Sequence, residues 1–193
     1  DDLVVMRQVH SSNIALVVED HRGRGAYGND DAVEVDALIT KTPGLVLLAQ
    51  GADCPLLIIC NGQKGVVSVI HSGWRGSRER IVCNVLDYMK DKLFCDHQYS
   101  RVIMAPFAKN CCYEVGPEFL DKFKDYSDSI KIKGQKVFLD LQTVIMNQLK
   151  EYGIVDNNIN VSPHCTICSN KYYSYRGDKE KAGRFGVFAW IDN

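Results

Sequence analysis

Residues 45–71, LVLLAQGADCPLLIICNGQKGVVSVIH, contain three apolar runs that are separated by two turn sequences. The runs are short and rich in Leu, Ile and Val, which is typical of buried strands rather than of amphipathic helices. Gly51 and Pro55 mark the first turn, and the NGQKG sequence marks a hairpin-type turn. The segment therefore predicts three consecutive buried strands, with Cys54 in the first turn and His71 at the end of the third strand.

The sequence on either side predicts further strands, in LVVMRQVH, ALIT, RVIMA and GRFGVFAWI. In the first of these segments, residues 3–10, alternate residues from Val4 to His10 fall on one face. This alternation predicts a strand that ends at His10.

Helices are predicted where apolar residues recur at helical spacing. Such a stripe runs through residues 81–93, with Ser77 as a candidate N-cap. PEFLDKFKDY and LDLQTVIMNQLKEYG have the same character, and Gly153 would close the second helix. KIKGQKVFL between them indicates a small hairpin. Since no repeat or linker is visible, we predict one α/β domain over residues 1–193 with a mixed sheet.

Composition excludes several classes of function. The 193 residues include 23 basic and 24 acidic side chains, so no basic face for nucleic acid or an anionic membrane is expected. The apolar runs are too short to span a bilayer. Eight cysteines in a chain of this length are fewer than a disulfide scaffold needs. With no secretory leader pattern in these residues, we expect a cytoplasmic protein with reduced thiols.

Three residues with metal-binding side chains stand at predicted strand ends: His10, Cys54 and His71. Strand ends are where α/β proteins place functional groups. Two imidazoles and one thiolate suit Zn²⁺ and can also suit copper, and three protein ligands leave the open position of a catalytic zinc site. The three residues are widely spaced along the chain, so spacing alone also allows the histidines to be ordinary core residues.

A second candidate metal site is the Cys165-x-x-Cys168 pair, which follows His164. Such a pair holds half of a tetrahedral zinc site and needs a second pair, which Cys111 and Cys112 could supply. Neighbouring residues of a strand point to opposite faces, however, so chelation of one ion by both would be awkward. The sequence therefore favours packing thiols over a second metal site.

The GWRG sequence at 73–76 joins a predicted strand to a predicted helix. Backbone amides at such a turn favour anions, and Arg75 adds a positive charge, so a phosphate could bind there. The same sequence is compatible with a simple tight turn. Asp53, next to Cys54, is either a supporting acid–base group or a turn-forming residue.

Aromatic and basic residues gather near the C-terminus, in YYSYRGDKEKAGRFG. Tyr172, Tyr173 and Tyr175 could line a pocket for a flat ring, with Arg176 and Arg184 close by. Tyrosines in such a loop equally serve to cover the core.

The order of the motifs adds a more specific indication. RQVHSS, DALIT, ADCPLLI, IHSGWRG, CCYEVGPEF and a terminal SYR…GR follow one another between residues 7 and 184. This combination resembles the laccase-domain family, also called YfiH-like or multicopper polyphenol oxidase-like. Its members are described as purine nucleoside phosphorylases with adenosine deaminase and methylthioadenosine phosphorylase side activities.

The resemblance implies a four-layer α/β/β/α sandwich and a metal on His10, Cys54 and His71. It implies zinc, with copper as the alternative, and a purine nucleoside and phosphate as substrates. We then expect Arg75 or Arg176 to hold the phosphate and Tyr175 to contact the nucleoside. Two departures stand out: Ala105 replaces a usual glycine, and the N-terminal stretch that usually precedes QVH is not in this sequence.

Three other functions stay open at this point. The first is a copper oxidase that acts on phenols, although the sequence offers no further histidine-rich ligand set for several coppers. The second is a metal-free cysteine hydrolase with Cys54 as nucleophile and His71 as its base. The third is a structural zinc site on an interaction protein, which would need a fourth ligand such as Cys111 or Cys165.

Overall fold

The three apolar runs between residues 45 and 71 all form strands, but these strands belong to two sheets. The computed structural model describes residues 2–28 and 31–192. β4 (Val46–Gly51) lies in a three-stranded sheet, whereas β5 (Leu56–Asn61) and β6 (Val66–His71) form a hairpin in a six-stranded sheet. The turn that contains Cys54 therefore carries the chain from one sheet to the other.

The remaining strands are short and complete three sheets. They are β1 (Leu3–Val5), β2 (Ile14–Val17), β3 (Ala37–Thr40), β7 (Ser100–Met104), β8 (Glu114–Val115), β9 (Ile130–Lys133), β10 (Lys136–Leu139), β11 (Ile159–Val161) and β12 (Phe185–Ala189). The strand orders are β1-β4-β12, β8-β10-β9 and β11-β7-β5-β6-β3-β2. In the six-stranded sheet the two outermost strands pair in parallel and the other pairs are antiparallel, so the predicted mixed sheet is confirmed.

In the described ranges, five α-helices connect the strands. They are α1 (Trp74–Arg78), α2 (Ile81–Asp91), α3 (Phe119–Lys122), α4 (Leu141–Glu151) and α5 (Tyr175–Asp178). Short 3-10 helices occupy Glu19–His21, His97–Tyr99, Lys124–Ser129, Asp156–Asn158 and Lys179–Lys181. Within residues 2–28 and 31–192, none of the helices has the length and apolar character that crossing a bilayer requires.

Both faces of the six-stranded sheet are covered. On one face Ile39 and Ile70 share a buried apolar cluster with residues of α2 and α4. On the other face Leu38 and Val69 share a cluster with Leu47 of the three-stranded sheet. Burial on both faces explains why the strand sequences are continuous apolar runs rather than alternating ones.

The predicted α/β class with a mixed sheet is confirmed. Helices α2 and α4 cover one face of the six-stranded sheet, and the three-stranded sheet covers the other. On the three-stranded sheet, Phe188 of β12 is 52% exposed, and Trp190 directly after that strand is 54% exposed.

The prediction of one strand over residues 3–10 is wrong in its second half. β1 ends at Val5, and His10 has a left-handed backbone with φ of 59°. The side chain of Gln8 bonds to the backbone N and O of Gln50 in β4 at 2.8 and 2.7 Å. The Gln8 side chain thus takes the place of backbone pairing with β4. The backbone itself turns away from β4 towards His10.

Two helix predictions also need correction. Ser77 is not an N-cap: α1 begins earlier, after Gly73, and Arg80 with φ of 64° separates α1 from α2. PEFLDKFKDY does not form one helix, because the chain leaves helical geometry at Phe123 and Tyr126. The Tyr126 hydroxyl accepts hydrogen bonds from Arg80 and Gln148, so tertiary contacts override the local pattern here. The helix of LDLQTVIMNQLKEYG is confirmed.

Ile70 precedes His71 and is fully buried, so it tests whether the sheet–helix core supports the strand end. We expect Ile70→Ala to lower the free energy of unfolding by about 3 kcal/mol, because it removes buried methyl and methylene groups and leaves a cavity. Ile103→Ala, at a position of β7 that is 49% exposed, is the control and should cost about 1 kcal/mol or less. Urea unfolding with chelator present measures both. An equal loss of unfolding free energy in the two variants would contradict the assignment of Ile70 to the core.

Candidate functional site

Strand register brings Cys54 and His71 together. Leu56 of β5 pairs with His71 at the end of β6, so Cys54 lies just before this pair. On the other side Ala37 of β3 pairs with Ile70, which places Asp36 beside His71. The backbone N–H of His71 donates to the carbonyl of Asp36 at 2.8 Å.

The carboxylate of Asp36 is fully buried and holds both His71 and the loop that carries His10. It accepts hydrogen bonds from the amides of Val9, His10 and Ser11 at 3.2, 3.1 and 2.6 Å. The Ser11 hydroxyl donates at 2.9 Å, and Nδ1 of His71 donates at 2.8 Å. Five donors on one carboxylate fix the left-handed turn at His10 and occupy Nδ1 of His71, so that Nε2 is the nitrogen on the side of Cys54.

The three predicted ligands meet in space. The ligand atoms of His10, Cys54 and His71 all lie within 4.8 Å of one another, and the two imidazole rings meet edge to face at 4.9 Å. His71 is buried, Cys54 is half-buried and His10 is exposed, so the group is accessible from the side of His10. In the described part of the chain, no fourth His, Cys, Asp or Glu belongs to this group.

Gly73 gives the group the space it needs. A Cβ at this position would lie 3.2 Å from Sγ of Cys54 and 3.2 Å from Cδ2 of His10. Any side chain there would press on two of the three ligands. Gly73 is thus required because Cys54 and His10 approach its Cα closely. Its backbone angle is ordinary, with φ of −62°.

Charge within the group favours a thiolate. Burial raises the pKa of Cys54, but hydrogen bonds from His10 and His71 outweigh burial and lower it to about 7. Burial lowers the pKa of His71, but its bonds to Asp36 and Cys54 raise it to about 9. The pKa of Asp36 is raised by burial and, more strongly, lowered by His71 and Ser11, so it lies below its ordinary value. Without a metal, the two shifts favour a thiolate beside an imidazolium once the pH exceeds about 7.

The group lies in a cavity of about 610 Å³. Besides the three ligands, the wall consists of Met6, Arg7, Gln8, Gln50, Gly51, Ala52, Asp53, Tyr113, Tyr175, Arg176 and Arg184. Arg7 pairs with Glu34 at 3.0 Å. Arg176 and Arg184 form no salt bridge with any described residue; each donates to backbone carbonyls, of Glu114 in one case and of Ala182 and Gly183 in the other. Two guanidinium charges at the cavity are therefore available to an anion.

The predicted substrate residues divide into two sets. Tyr175 and Arg176 line the cavity as expected. Arg75 lies elsewhere: it is exposed, and its guanidinium stacks 4.4 Å above the ring of Trp74. Tyr172 and Tyr173 line a different cavity, of about 600 Å³.

Asp53 has a supporting position. Its Oδ1 accepts a hydrogen bond from the Thr166 hydroxyl at 2.7 Å, and its Oδ2 accepts one from the amide of Arg176 at 2.6 Å. Asp53 therefore fixes the C-terminal loop against the turn that contains Cys54. Its φ of 90° shows that this turn is strained to make both contacts.

The sequence interpretation missed Asp36 and Tyr113. A carboxylate directly before the apolar ALIT strand was a signal, because a charge at the edge of a buried strand needs partners. Tyr113 had a weaker signal, in the CCYEVG motif. Burial and the nearby Cys54 charge raise the pKa of Tyr113 to about 12, so its hydroxyl stays protonated and can donate.

The structure also overturns the argument against a four-cysteine group. The sulfur atoms of Cys111, Cys112, Cys165 and Cys168 all lie within 4.8 Å of one another. Cys111 and Cys112 occupy a turn rather than a strand, with the amide of Cys112 bonded to the carbonyl of Lys109 at 3.0 Å. The alternation rule for strands therefore does not apply to them.

Comparison with known proteins identifies the family of the chain. Residues 1–192 match the family described as multi-copper polyphenol oxidoreductase laccase. The chain is 33% identical over 193 residues to a purine nucleoside phosphorylase of Clostridium acetobutylicum, covering 97% of this chain and 76% of that protein. It is 32% identical over 193 residues to adenosine deaminase RL5 from an unknown prokaryotic organism, covering 95% and 73%.

The fold has a solved counterpart. The crystal structure of the hypothetical protein YfiH from Bacillus licheniformis superposes with a TM-score of 0.94 at 28% identity, covering 99% of this chain and 74% of that one. The family match spans nearly every residue of the chain. The chain belongs to the laccase-like multi-copper polyphenol oxidoreductase family, whose relatives include proteins named purine nucleoside phosphorylase and adenosine deaminase.

Proposed function

We propose that this chain is a zinc-dependent purine nucleoside phosphorylase whose metal ligands are His10, Cys54 and His71. The observation that carries the proposal is that three ligand atoms meet in one cavity. Two guanidinium groups at the same cavity form no salt bridge with any residue that the structure describes. The names of the relatives supply the substrate class, a purine nucleoside and phosphate.

The donor set fits a zinc ion. Because Asp36 holds Nδ1 of His71, Nε2 is the nitrogen that can coordinate once it releases its proton to solvent, and the lowered pKa of Cys54, about 7, favours the thiolate ligand. Gly73 keeps the space between the ligands clear. When bound, the ion would polarise an oxygen of phosphate, or would lower the pKa of a bound water to about 7 for deamination.

The anion would be held by Arg176 and Arg184. A guanidinium has five N–H donors, and Arg176 uses one described donor on the carbonyl of Glu114. The others are available for two phosphate oxygens in the bidentate geometry that arginine favours. Arg75, which stacks on Trp74, is left out of this role.

The nucleoside would occupy the rest of the cavity. A volume of about 610 Å³ is in the range of small-molecule sites. Tyr113, which stays protonated, can donate to a ribose or purine acceptor, and Tyr175 offers a ring face at the rim. Methylthioadenosine phosphorolysis and adenosine deamination would use the same cavity.

A metal-free cysteine hydrolase is the second candidate, because Cys54, His71 and Asp36 form a connected nucleophile, base and orienting carboxylate. A copper enzyme that oxidises phenols is less well supported. Four-electron reduction of oxygen uses several coppers, and the described residues contain just two metal-type groups, one of them entirely cysteine.

The direct test incubates purified protein with inosine or adenosine and phosphate, and measures free purine base and ribose-1-phosphate. We expect Cys54→Ser to lose both the bound metal and phosphorolysis, because it removes the thiolate ligand while keeping the side-chain size. Cys60→Ser, at a half-buried cysteine of β5, is the matched control and should keep both. Phosphorolysis that persists in metal-free Cys54→Ser protein would exclude the mechanism. Inosine formed from adenosine without phosphate would reveal the deaminase activity.

Removal of one guanidinium tests the phosphate site. We expect Arg176→Gln to raise KM for phosphate by about 10- to 100-fold, which corresponds to a charge-assisted hydrogen bond of about 1.5–3 kcal/mol. KM for the nucleoside should change much less. Arg78→Gln, at an exposed arginine of α1, is the control. An unchanged KM for phosphate in Arg176→Gln would show that the anion binds elsewhere.

The charge state of the group predicts a pH dependence. In chelator-treated protein, alkylation of Cys54 should reach half its maximal rate near pH 7, because a lowered pKa keeps the thiolate present at lower pH than the ordinary value of about 8.5. Asp36→Asn should shift this midpoint upward, since His71 then holds its proton less firmly. Cys111, whose pKa is raised by burial, serves as the internal control in the same peptide digest. A midpoint for Cys54 at or above that of Cys111 would refute the thiolate–imidazolium pair.

A further inference from the structure

The group of Cys111, Cys112, Cys165 and Cys168 lies outside the cavity of His10, Cys54 and His71 and has no part in the chemistry proposed above. Its four sulfurs lie within 4.8 Å of one another, and those of Cys111 and Cys168 are 4.0 Å apart. In a tetrahedral zinc site with Zn–S bonds of about 2.3 Å, the sulfurs are about 3.8 Å apart. The four side chains are therefore close to the spacing that one ion requires.

The backbone around these cysteines arranges them for chelation. Residues 165–169 form a turn in which the amide of Ser169 donates to the carbonyl of Cys165 at 3.1 Å, so Cys165 and Cys168 fall on one side. The amide of Lys109 donates to Sγ of Cys165 at 3.4 Å. Amide donors on a sulfur stabilise the negative charge that a thiolate ligand carries.

We propose that Cys111, Cys112, Cys165 and Cys168 bind a second Zn²⁺ as a closed, structural tetrathiolate site. All four positions of the ion would be taken by protein sulfur, which is typical of a structural site and leaves no place for substrate. Binding replaces the thiol protons, which pass to solvent, and involves no redox step. Cys111 and Cys168 are exposed, so the ion can enter from solvent.

The site would join two loops that form the wall of the catalytic cavity. The first loop leads from Phe107, which bridges to Cys165, through Cys111 and Cys112 to Tyr113. The second leads from Cys165 and Cys168 to Tyr175 and Arg176.

Thr166, between the cysteines of the second loop, bonds to Asp53 next to Cys54. A zinc ion at the four cysteines would thus hold Thr166 and Arg176 in position without contacting substrate.

Cobalt substitution tests the proposal without a mutation. Protein stripped of metal and loaded with Co²⁺ should show the intense sulfur-to-cobalt charge-transfer and tetrahedral d–d absorption of a tetrathiolate. Zn²⁺ should then displace the cobalt and remove these bands. A spectrum that lacks tetrathiolate bands at saturating Co²⁺, with all eight cysteines shown to be reduced, would overturn the proposal.

Variants separate this site from the first one. Cys168→Ser, at an exposed position that should not disturb folding, is expected to lower the zinc content by one equivalent per chain and to remove the tetrathiolate bands. Cys54→Ser should leave these bands unchanged, and Cys60→Ser should leave the zinc content unchanged. If the phosphorylase proposal were wrong, the expectation that would fail is the loss of phosphorolysis in Cys54→Ser. The results for Cys168→Ser would not change. Zinc content and cobalt spectrum that are the same in Cys168→Ser as in wild type would refute the second site, as would a disulfide between Cys111 and Cys168 in protein isolated under reducing conditions.

A mobility measurement tests the structural role. Hydrogen exchange of residues 165–176 should be faster in Cys168→Ser than in wild type, because the zinc no longer closes the loop. Exchange in α2, whose apolar residues are buried in the sheet–helix core, should be the same in both proteins. Unchanged exchange in residues 165–176 would show that the site does not organise the cavity wall.

Discussion

The buried carboxylate of Asp36 is the contact on which the geometry of the site depends. A fully buried charge is costly unless its oxygens are all occupied by donors. Here the donors are three successive backbone amides, one hydroxyl and the Nδ1–H of His71. Because one carboxylate accepts hydrogen bonds from both, it holds the irregular loop of residues 9–11 against the end of β6 at His71. The coupling sets the position of His10 and the tautomer of His71 at the same time.

A second aspartate, Asp53, couples the other half of the site. It stands in the turn that carries the chain between the sheets, and its neighbour Cys54 faces the histidines. Its carboxylate bonds to Thr166 and to the amide of Arg176, from a loop more than a hundred residues later in the chain. The two aspartates therefore tie the N-terminal loop, the sheet edge and the C-terminal loop to one small volume. Residues that are far apart in sequence form the cavity for this reason.

The parts of the fold that follow from local pattern were predictable. Apolar runs gave the strands from β4 to β6, and helical spacing with Gly153 after its end gave α4. The predictions failed at Gln8 and at Tyr126, where tertiary hydrogen bonds replace local ones, and at Cys111 and Cys112, where a turn stands in place of the expected strand. The same reason explains the site. His10, Cys54 and His71 carry recognisable side chains, whereas the roles of Asp36 and Tyr113 depend on contacts that only folding creates.

The charge of the ligand set indicates how much of the phosphate's stabilisation would come from the metal ion and how much from the arginines. One thiolate and two neutral imidazoles would leave a bound zinc ion with a single net positive charge, and Asp36 places a further negative charge behind His71. Such an ion is a weaker Lewis acid than one held by three histidines. Phosphate, which carries between one and two negative charges at neutral pH, would then depend on the guanidinium groups of Arg176 and Arg184 for much of its stabilisation. The loop that carries Arg176 also contains Cys165 and Cys168. With the proposed zinc bound to the four cysteines, the position of that charge would depend on a part of the molecule that never contacts the substrate.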